Sequence, residues 1–358
     1  MKQSLALALL LLTPAAAAAP SPSPLRVPRA AHTATALPSG VVLVAGGCTL
    51  DGCESDDRSR TTELFDPVTG RFTAGPRMLG RRVGHTAVPL AGGSVLLAGG
   101  YTGEGRYPLA SAELYLPAER RFVGVGSMGV GRGGATATRL RDGRVLIVGG
   151  WDGDRALATA ELYDPRTRRF QPAGSLSTPR SAHAATLLGE GRVLVAGGSS
   201  SEAVLASAEV YDPDTDGFSA VGPMSLPRHK HALVSLVGGG ALAVGGSDAR
   251  DFRGRRATAE LFDAHQGRFV RLIPLRQARF KITDAVVRLR SGKVLVAGGG
   301  SQAEVYEPAR RRFVSSVGLG APRAFSTATV LRDGHVLVAG GYDNRIAVTS
   351  RAQVITAR

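Results

Sequence analysis

The stretch RVLVAGG at residues 192–198 decides the fold, because close copies of it recur along the whole chain. Each copy is a short apolar run that ends in two glycines. Clear copies stand at 144–150, 293–299 and 335–341, and looser ones begin at residues 41, 94 and 241. A short apolar run bounded by turn residues is typical of a β-strand that is covered on both faces. The sequence therefore predicts seven repeated units.

Two further anchors recur at fixed distances in these units. An Arg precedes the first glycine by 17 residues in six units, and a Glu precedes a Phe by 9 residues in six units. In the remaining unit the 17-residue distance holds only if Lys281, and not Arg279, takes the Arg position. The strongly variable segment lies between the second glycine and the Glu, at 5 to 16 residues. A constant skeleton with one variable loop per unit is typical of repeat architectures.

Each unit predicts four short antiparallel strands, A to D. HTATAL at 32–37 is an example of strand A, and RVLVAGG is strand B. AELYD at 160–164 alternates as strand C, and after the type I turn DPRT at 164–167 the pair RF opens strand D. One such sheet cannot bury both of its faces, whereas seven sheets placed radially bury one another. The glycine pair is expected where a side chain would crowd the neighbouring backbone.

A glycine pair after an apolar strand, an aromatic–Asp turn and a period near 50 residues resemble Kelch repeats. The resemblance covers about residues 29–358. It implies an all-β fold, a seven-bladed Kelch-type β-propeller with four-stranded antiparallel blades. WD40 repeats fit poorly, since their Gly-His and terminal Trp-Asp pairs are missing. The seventh unit stops at Arg358 before its strand D, so the Pro-rich segment 20–28 is expected to lie along blade seven as an edge strand.

The N-terminus and the composition bear on location and partners. Residues 1–19, MKQSLALALLLLTPAAAAA, have the Lys, apolar run and small residues of a secretory signal peptide, and no later run is long enough to span a bilayer. A secreted or periplasmic protein is therefore expected. The formal charge of +15 comes from 40 Arg and 4 Lys against 29 acidic residues, and a positive surface favours polyanions. Because the arginines are spread along the chain, specific nucleic-acid binding is not predicted.

The Kelch resemblance implies one candidate binding site. In some Kelch propellers the residue at the start of strand A faces the mouth of the central channel and binds acidic peptides. The matching residues here are Arg29, Arg82, Arg132, Arg180, Arg228, Lys281 and Arg323. The alternative is structural, because every unit also carries a Glu on strand C, or Gln353 in the last unit, with which the cation can pair.

Aromatic residues and histidines are the next candidates. An aromatic follows the glycine pair directly in three units, where it can stack on a sugar ring or pack its own loop. These aromatics are Tyr101, Trp151 and Tyr342. His229 and His231 share one strand face, but no third ligand is identifiable, so neither a metal site nor a cofactor is predicted.

The two cysteines lie in the longest variable loop, GGCTLDGCESDDRSR. Close cysteines in one loop of an exported protein most often pair, so Cys48 and Cys53 are expected to form a disulfide. The neighbouring acidic residues lack the ordered alternation of a calcium loop, and a solvated acidic loop is expected.

Two classes of function remain. The first is an exported, monomeric, non-catalytic binding or scaffold protein, whose loops between strands B and C bind a protein or an acidic polysaccharide, through an anionic glycan or acidic peptide. The second is a carbohydrate-active enzyme, an epimerase, lyase or oxidase, since galactose oxidase and a sialic-acid epimerase have Kelch propellers. Copper-radical oxidation needs a Cys linked to a Tyr, which two cysteines in one peripheral loop argue against. Asp284, which takes the position of a repeated His, is the best irregularity for an acid, but no catalytic residue is predicted.

Overall fold

A computed structural model describes residues 21–102 and 107–356, which form seven β-sheets. The signal peptide predicted at 1–19 lies outside the described residues. Six sheets have four antiparallel strands in chain order, and the seventh has three. The first strand of every sheet contacts the first strand of the next, and that of sheet seven contacts that of sheet one. The sheets are therefore the blades of a closed, all-β, seven-bladed propeller, as predicted.

The strands of the first four blades have the following bounds. Blade one contains β1 (Thr33–Ala36), β2 (Val42–Ala45), β3 (Thr62–Asp66) and β4 (Arg71–Ala74). Blade two contains β5 (Thr86–Pro89), β6 (Val95–Ala98), β7 (Ala112–Leu116) and β8 (Arg121–Gly124). Blade three contains β9 (Thr136–Arg139), β10 (Val145–Val148), β11 (Thr159–Asp164) and β12 (Arg169–Ser175). Blade four contains β13 (Ala184–Leu187), β14 (Val193–Ala196), β15 (Ala208–Asp212) and β16 (Gly217–Val221).

The last three blades follow the same order. Blade five contains β17 (Ala232–Ser235), β18 (Ala241–Val244), β19 (Ala259–Asp263) and β20 (Arg268–Arg271). Blade six contains β21 (Val286–Arg288), β22 (Val294–Val296), β23 (Gln302–Glu307) and β24 (Arg312–Gly318). Blade seven contains β25 (Thr327–Val330), β26 (Val336–Ala339) and β27 (Ala352–Ile355). Short 3₁₀ turns lie at Asp51–Cys53, Asp57–Arg60, Asp251–Gly254 and Pro308–Arg310. Within the described residues no helix is long and apolar enough to cross a membrane.

Seven clusters of the hydrophobic core each lie between two neighbouring blades, and an eighth, smaller one contains Ala30, Cys48 and Tyr342. Strand B is buried along its whole length, as in Val193–Ala196. On strands C and D an aromatic pair is added, for example Tyr163 with Phe170, whose ring centroids are 5.0 Å apart. Because one cluster joins blade seven to blade one, each blade packs against two neighbours within the described part of the chain. Apolar burial of this kind is the main stabilising term of such a ring.

The glycine pairs end strand B where the next blade comes closest. A Cβ atom on Gly46 would lie 2.5 Å from the carbonyl oxygen of Arg82 and 2.9 Å from the His85 ring. Gly46 also has a φ of 64°, in the left-handed region that favours glycine. The predicted reason for the repeated pair, crowding by the neighbouring backbone, is therefore confirmed.

The N-terminal segment closes the ring, but not as the expected edge strand. Its described part, 21–28, forms no strand. Leu25 is buried between blades one and seven, and its N–H donates to the carbonyl of Ser350 at 2.8 Å. Met78 makes the equivalent bond to Arg60 at 2.8 Å, so Leu25 occupies the position of the linker between one blade and the next. The segment thus provides the last linker of the ring.

Candidate functional site at the mouth of the central channel

Strand A is the innermost strand of each blade, and the residues just before it surround one end of the central channel. The B–C loops lie at the same end, because antiparallel strand B ends where strand A begins. Three successive positions matter, and we number them from the repeated Arg, which is position 0. Position 0 lies below the surface, position +2 lines the mouth, and position +3 directly precedes strand A in most blades.

The repeated arginines are buried and held by the ring itself. The guanidinium of Arg132 is 1% exposed and lies 3.0 Å from Glu161. It also donates to the backbone carbonyls of Gly149 and Thr159, at 2.8 Å each. The same ion pair forms in six blades, at 2.5 to 3.0 Å. The pairs are Arg29–Glu63, Arg82–Glu113, Arg132–Glu161, Arg180–Glu209, Arg228–Glu260 and Arg279–Glu304.

This pairing is the structural alternative stated for these residues. Desolvation lowers the pKa of Arg132 and Arg180, and the facing Glu carboxylates oppose that shift. A guanidinium with both a carboxylate and backbone carbonyls as partners has little capacity left for a ligand. The arginines at position 0 are thus bonded within the ring, and their ligand binding stays a prediction.

In blade six the residue at position 0 is Arg279, so the register that assigned Lys281 there is wrong. Arg279 donates to the Gly298 carbonyl at 2.8 Å and pairs with Glu304. Thr283 and Asp284 form a turn that lengthens the path from the Arg to the glycine pair by two residues. Lys281 consequently moves to position +2, at the mouth. Ile282, and not Asp284, occupies the position of the repeated histidine.

The four histidines at position +3 are buried, and three of them, His32, His85 and His183, bond to a Thr hydroxyl of a neighbouring blade. Nε2 of His183 lies 2.8 Å from the hydroxyl of Thr136 in the preceding blade, and His85 makes the same contact with Thr33 at 3.0 Å. Burial, with a smaller effect of the neighbouring Arg, lowers the pKa of His85 and His183 to about 3. These rings are therefore neutral near pH 7. Among the described residues no three His, Cys, Asp or Glu side chains are grouped to hold a metal.

Position +2 forms a ring of left-handed residues around the mouth. All seven have φ between 50° and 61°. In six of the seven steps the N–H of one residue donates to the carbonyl of its neighbour, at 2.8 to 3.1 Å. The ring consists of Ala31, Gly84, Gly134, Ala182, Lys230, Lys281 and Phe325. Blades one to four thus contribute small residues to the mouth, whereas blades five to seven contribute two lysines and a phenylalanine.

The two lysines share one carboxylate. Asp251, from the B–C loop of blade five, lies 3.0 Å from Nζ of Lys230 and 3.6 Å from Nζ of Lys281. Desolvation opposes the charge of Asp251, but the two lysines outweigh it and hold the pKa of this carboxyl below its ordinary value. Burial and the charge of Lys230 lower the pKa of neighbouring His229 to about 4, so its ring is neutral. One positive charge in excess remains at this point of the mouth.

Aromatic rings surround Lys281. Its Nζ lies 4.9 Å from the ring centroid of Phe280, 5.5 Å from Phe325 and 5.4 Å from Tyr342, and it donates to the Tyr342 hydroxyl at 2.7 Å. Phe280 in turn packs edge-on against Phe252, which is 42% exposed.

We call Lys230, Lys281, Asp251, Phe252 and Phe325 the cationic–aromatic half of the mouth. Exposed Arg253 and Arg255 extend it along the blade-five loop.

The three aromatics predicted as sugar platforms differ in exposure. Tyr342 is 5% exposed and packs against Phe325, with ring centroids 5.9 Å apart. Tyr101 is half-buried and its ring lies over Gly133 of the next blade. Trp151 is half-buried, and its backbone pairs with Gly133 and with Ala156. The rings of Tyr101 and Tyr342 thus pack against neighbouring residues, and ligand binding by all three aromatics stays a prediction.

The cysteine loop lies on the same face. The structure joins Cys48 and Cys53 in a disulfide. Its acidic residues are used locally: Asp56 accepts from Thr49 at 2.8 Å, and Asp51 accepts from the N–H of Val348 in blade seven at 2.9 Å. These bonds fasten the loop to its neighbours.

Asp284 lies on the extra turn of blade six. The turn directly precedes β21, the innermost strand of blade six. Desolvation by the surrounding protein raises the pKa of Asp284, and its described side-chain partner is Thr283, at 3.2 Å. Without a second polar group bonded to its side chain among the described residues, no reaction follows from this geometry.

Comparison with known proteins agrees with this fold. A family model described as the Kelch motif matches residues 137–177 and 179–225, which are the repeats of blades three and four. No curated protein sequence matches the chain. Among solved structures, a fungal alcohol oxidase of the AA5 family in complex with copper superposes with a TM-score of 0.75 and 17% identity, covering 94% of this chain and 76% of that one.

At 17% identity this likeness concerns the fold alone. The predicted repeat is nevertheless found on two independent grounds, the matched motifs and the geometry of the blades. The buried Arg–Glu pair recurs in six of the seven blades, always between the start of strand A and strand C. The chain is a seven-bladed β-propeller whose third and fourth blades match the Kelch motif.

Proposed function

We propose that this protein is an exported, monomeric, non-catalytic binding protein that holds a carboxylate-bearing ligand at the channel mouth. The observation that carries the proposal is the excess positive charge of Lys230 and Lys281, set beside exposed or half-buried aromatic rings. A carboxylate can replace or join Asp251 on the lysines, and an adjoining sugar ring or side chain can pack on Phe325 and Phe252. Such charge-assisted hydrogen bonds are stronger than neutral ones.

The ligand class is an anionic glycan or an acidic peptide, because both offer repeated carboxylates. Export is supported by the signal-like segment 1–19 and by the Cys48–Cys53 disulfide, which is typical of oxidising compartments. The rigid ring with variable B–C loops on one face supports recognition at that face.

An oxidase like the copper-containing neighbour is not supported by the residues of this chain. Copper-radical chemistry requires a Cys bonded to a Tyr, and here Cys48 is bonded to Cys53. The repeated histidines lie beneath the glycine pairs, and in the described ranges no three His, Cys, Asp or Glu residues are grouped as ligands. The residues do not fit a copper centre, so we derive no step through one.

The test is a charge-matched pair of double variants. Lys230→Ala with Lys281→Ala removes two charges from the mouth, and Arg166→Ala with Arg168→Ala removes two from an exposed C–D turn on the opposite face. Binding to a uronic-acid oligosaccharide and to an oligoglutamate peptide is measured for each at constant ionic strength. We expect the mouth variant to bind at least about tenfold more weakly, with the turn variant unchanged; the ligand that responds identifies the class. Equal losses in both variants, or no binding of either probe, would overturn the proposal.

A further inference from the structure

Blade seven lacks the acceptors that the other blades provide for their buried Arg. In blades one to five Nη2 of the Arg donates to a Thr or Ser hydroxyl two residues before the Glu, at 2.9 to 3.2 Å. These bonds are Arg29–Thr61, Arg82–Ser111, Arg132–Thr159, Arg180–Ser207 and Arg228–Thr258. Together with the Glu, the hydroxyl satisfies the side of the guanidinium that faces strand C.

In blade seven both acceptors are replaced. Arg351 stands at the hydroxyl position and Gln353 at the Glu position. Arg323 is 4% exposed, and its Nη1 donates to the carbonyl of Arg351 at 3.0 Å. Its Nη2 has no partner among the described residues. Gln353 directs its amide to the Gly318 carbonyl at 3.1 Å instead, and its own Oε1 is unpartnered within the described part of the chain.

The replacement also adds a cation. Arg351 is exposed, and its guanidinium lies over Gly320, where a Cβ atom would collide with it. Desolvation, with the nearby charge of Arg351, lowers the pKa of Arg323 to about 10. Neither Arg351 nor Arg323 forms an ion pair with a described acidic residue. Two guanidinium groups therefore lie close together without a carboxylate, one of them buried, which is costly unless an anion is supplied.

A third donor stands at the same point. In the other blades the Glu also accepts the N–H of the residue three positions before the Arg, at 2.7 to 2.9 Å. The donors are Arg26, Leu79, Gly129, Ser177, Ser225 and Arg276. Gly320 is the residue at this position in blade seven. By the repeat, the N–H of Gly320 and the guanidinium of Arg323 correspond to the two donors that bind the Glu carboxylate in the other blades, and the guanidinium of Arg351 lies against Gly320.

We propose that blade seven binds a small carboxylate anion between Arg323 and Arg351. The bound carboxylate takes the role of the missing Glu, accepting from Nη2 of Arg323, from Arg351 and from the N–H of Gly320. Exposed Arg351 is the entrance to the site, because Arg323 is buried. This site is separate from the channel mouth and does not depend on the function proposed for the mouth.

The experiment measures the melting temperature in sodium acetate against sodium chloride, at equal pH and ionic strength. A ligand that binds the folded state raises the melting temperature with its concentration. We expect this rise for the wild type in acetate. Gln353→Glu supplies the carboxylate covalently, so it is expected to raise the melting temperature and to reduce the response to acetate at least about tenfold.

Arg351→Ser restores the hydroxyl found in blades two and four and serves as the second variant. It removes one of the three donors and is expected to weaken the acetate response about tenfold while leaving the fold intact. The proposal is overturned if acetate and chloride give the same melting temperature for the wild type. It is also overturned if the acetate response survives unchanged in Gln353→Glu or, should that variant not fold, in Arg351→Ser.

Discussion

Arg228 and Lys230 are two residues apart, yet they belong to different regions of the molecule. Arg228 is fully buried, and its guanidinium lies 2.5 Å from Glu260. The side chain of Lys230 is 26% exposed and shares a half-exposed Asp251 with Lys281. The first position holds an Arg in all seven blades, whereas the second holds Ala, Gly, Lys or Phe. Position 0, which is constant between blades, stabilises the ring. Position +2, which varies between blades, is available for recognition at the mouth.

The mouth carries the same contrast around the channel. Its seven residues share one backbone conformation and one hydrogen-bonded ring. Their side chains nevertheless divide into a small half, from Ala31 to Ala182, and the cationic–aromatic half. A symmetric backbone with asymmetric side chains is how a repeat protein places a single site on a rotationally repeated frame.

The largest expected effect separates the two regions directly. Arg180→Ala leaves Glu209 buried without its cation and removes the donors to the Gly197 and Ser207 carbonyls. We expect the free energy of unfolding to fall by about 3–5 kcal/mol, since breaking a buried ion pair leaves an uncompensated charge. Lys230→Ala removes a partly exposed pair and is expected to cost less than about 1 kcal/mol.

Denaturant titration of both variants measures the difference. Ligand binding should respond in the opposite order, with Lys230→Ala the weaker binder and Arg180→Ala unaffected wherever it remains folded. If the two variants lost the same amount of stability, the distinction between a structural layer and a recognition layer would be wrong.

The next largest effect on stability concerns the glycine pair at the end of strand B. Gly149→Ala places a Cβ against the carbonyl oxygen of Arg180 and 2.9 Å from the His183 ring, at a φ of 59°. Gly143→Ala introduces the same methyl group at a φ of 93° in an A–B turn, with nothing within 4 Å. The strain of the backbone alone is about 1–2 kcal/mol, so the turn variant measures that cost and Gly149→Ala is expected to exceed it by about 1–3 kcal/mol for overpacking.

Thermal melting of the two variants provides the comparison. Equal losses would mean that the glycine pair is required for its dihedral angles and not for the close approach of the next blade.

The fold was predictable because its determinants are local and repeated. The distance from Glu161 to Phe170 spans strand C, a turn and the start of strand D, and any insertion there would break a hydrogen-bonded hairpin. The same reasoning failed in blade six. Arg279 and Lys281 are both cations, and an insertion of two residues, Thr283 and Asp284, preserves the alternation of a strand, so a constant spacing selected the wrong one. Contact with Glu304 distinguishes them, and that contact is not visible in the sequence.

The candidate site was less predictable, because its residues share a conformation and not a residue type. Ala31, Lys230 and Phe325 have no common sequence signal, although Gly84 and Gly134, two residues after their arginines, hinted at a positive φ. Sequence reasoning chose position 0 because it repeats. In this molecule the repeated Arg at position 0 forms a buried ion pair with a Glu, so its repetition indicates a structural role.

The smallest expected effect concerns the pH dependence of stability, which the buried histidines at position +3 control. The folded-state pKa of His183 is about 3, against 6.5 for an unperturbed histidine. Between these values the unfolded chain binds a proton that the folded protein does not. The stability that the protein gains from burying a neutral His183 is therefore complete above pH 6.5. It is lost as the pH falls toward 3, by about 1.4 kcal/mol per pH unit for one histidine. His183→Asn should reduce the acid slope by that amount, because Asn keeps a polar partner for Thr136 but does not titrate.

The measurement is the free energy of unfolding at several pH values from 7 to 5, for the wild type, His183→Asn and His85→Asn. His85 has the same folded-state pKa of about 3 and the same kind of contact, with Thr33, in another blade. The two substitutions should therefore reduce the slope of the unfolding free energy against pH by equal amounts, whatever the stabilities of the variants at pH 7. Using two variants tests position +3 as a repeated feature and not a single residue. Unequal slopes would mean that the blades differ at position +3 as they do at position +2. An acid slope that neither variant changes would show that these histidines are protonated in the folded ring, in conflict with their burial beneath the glycine pairs.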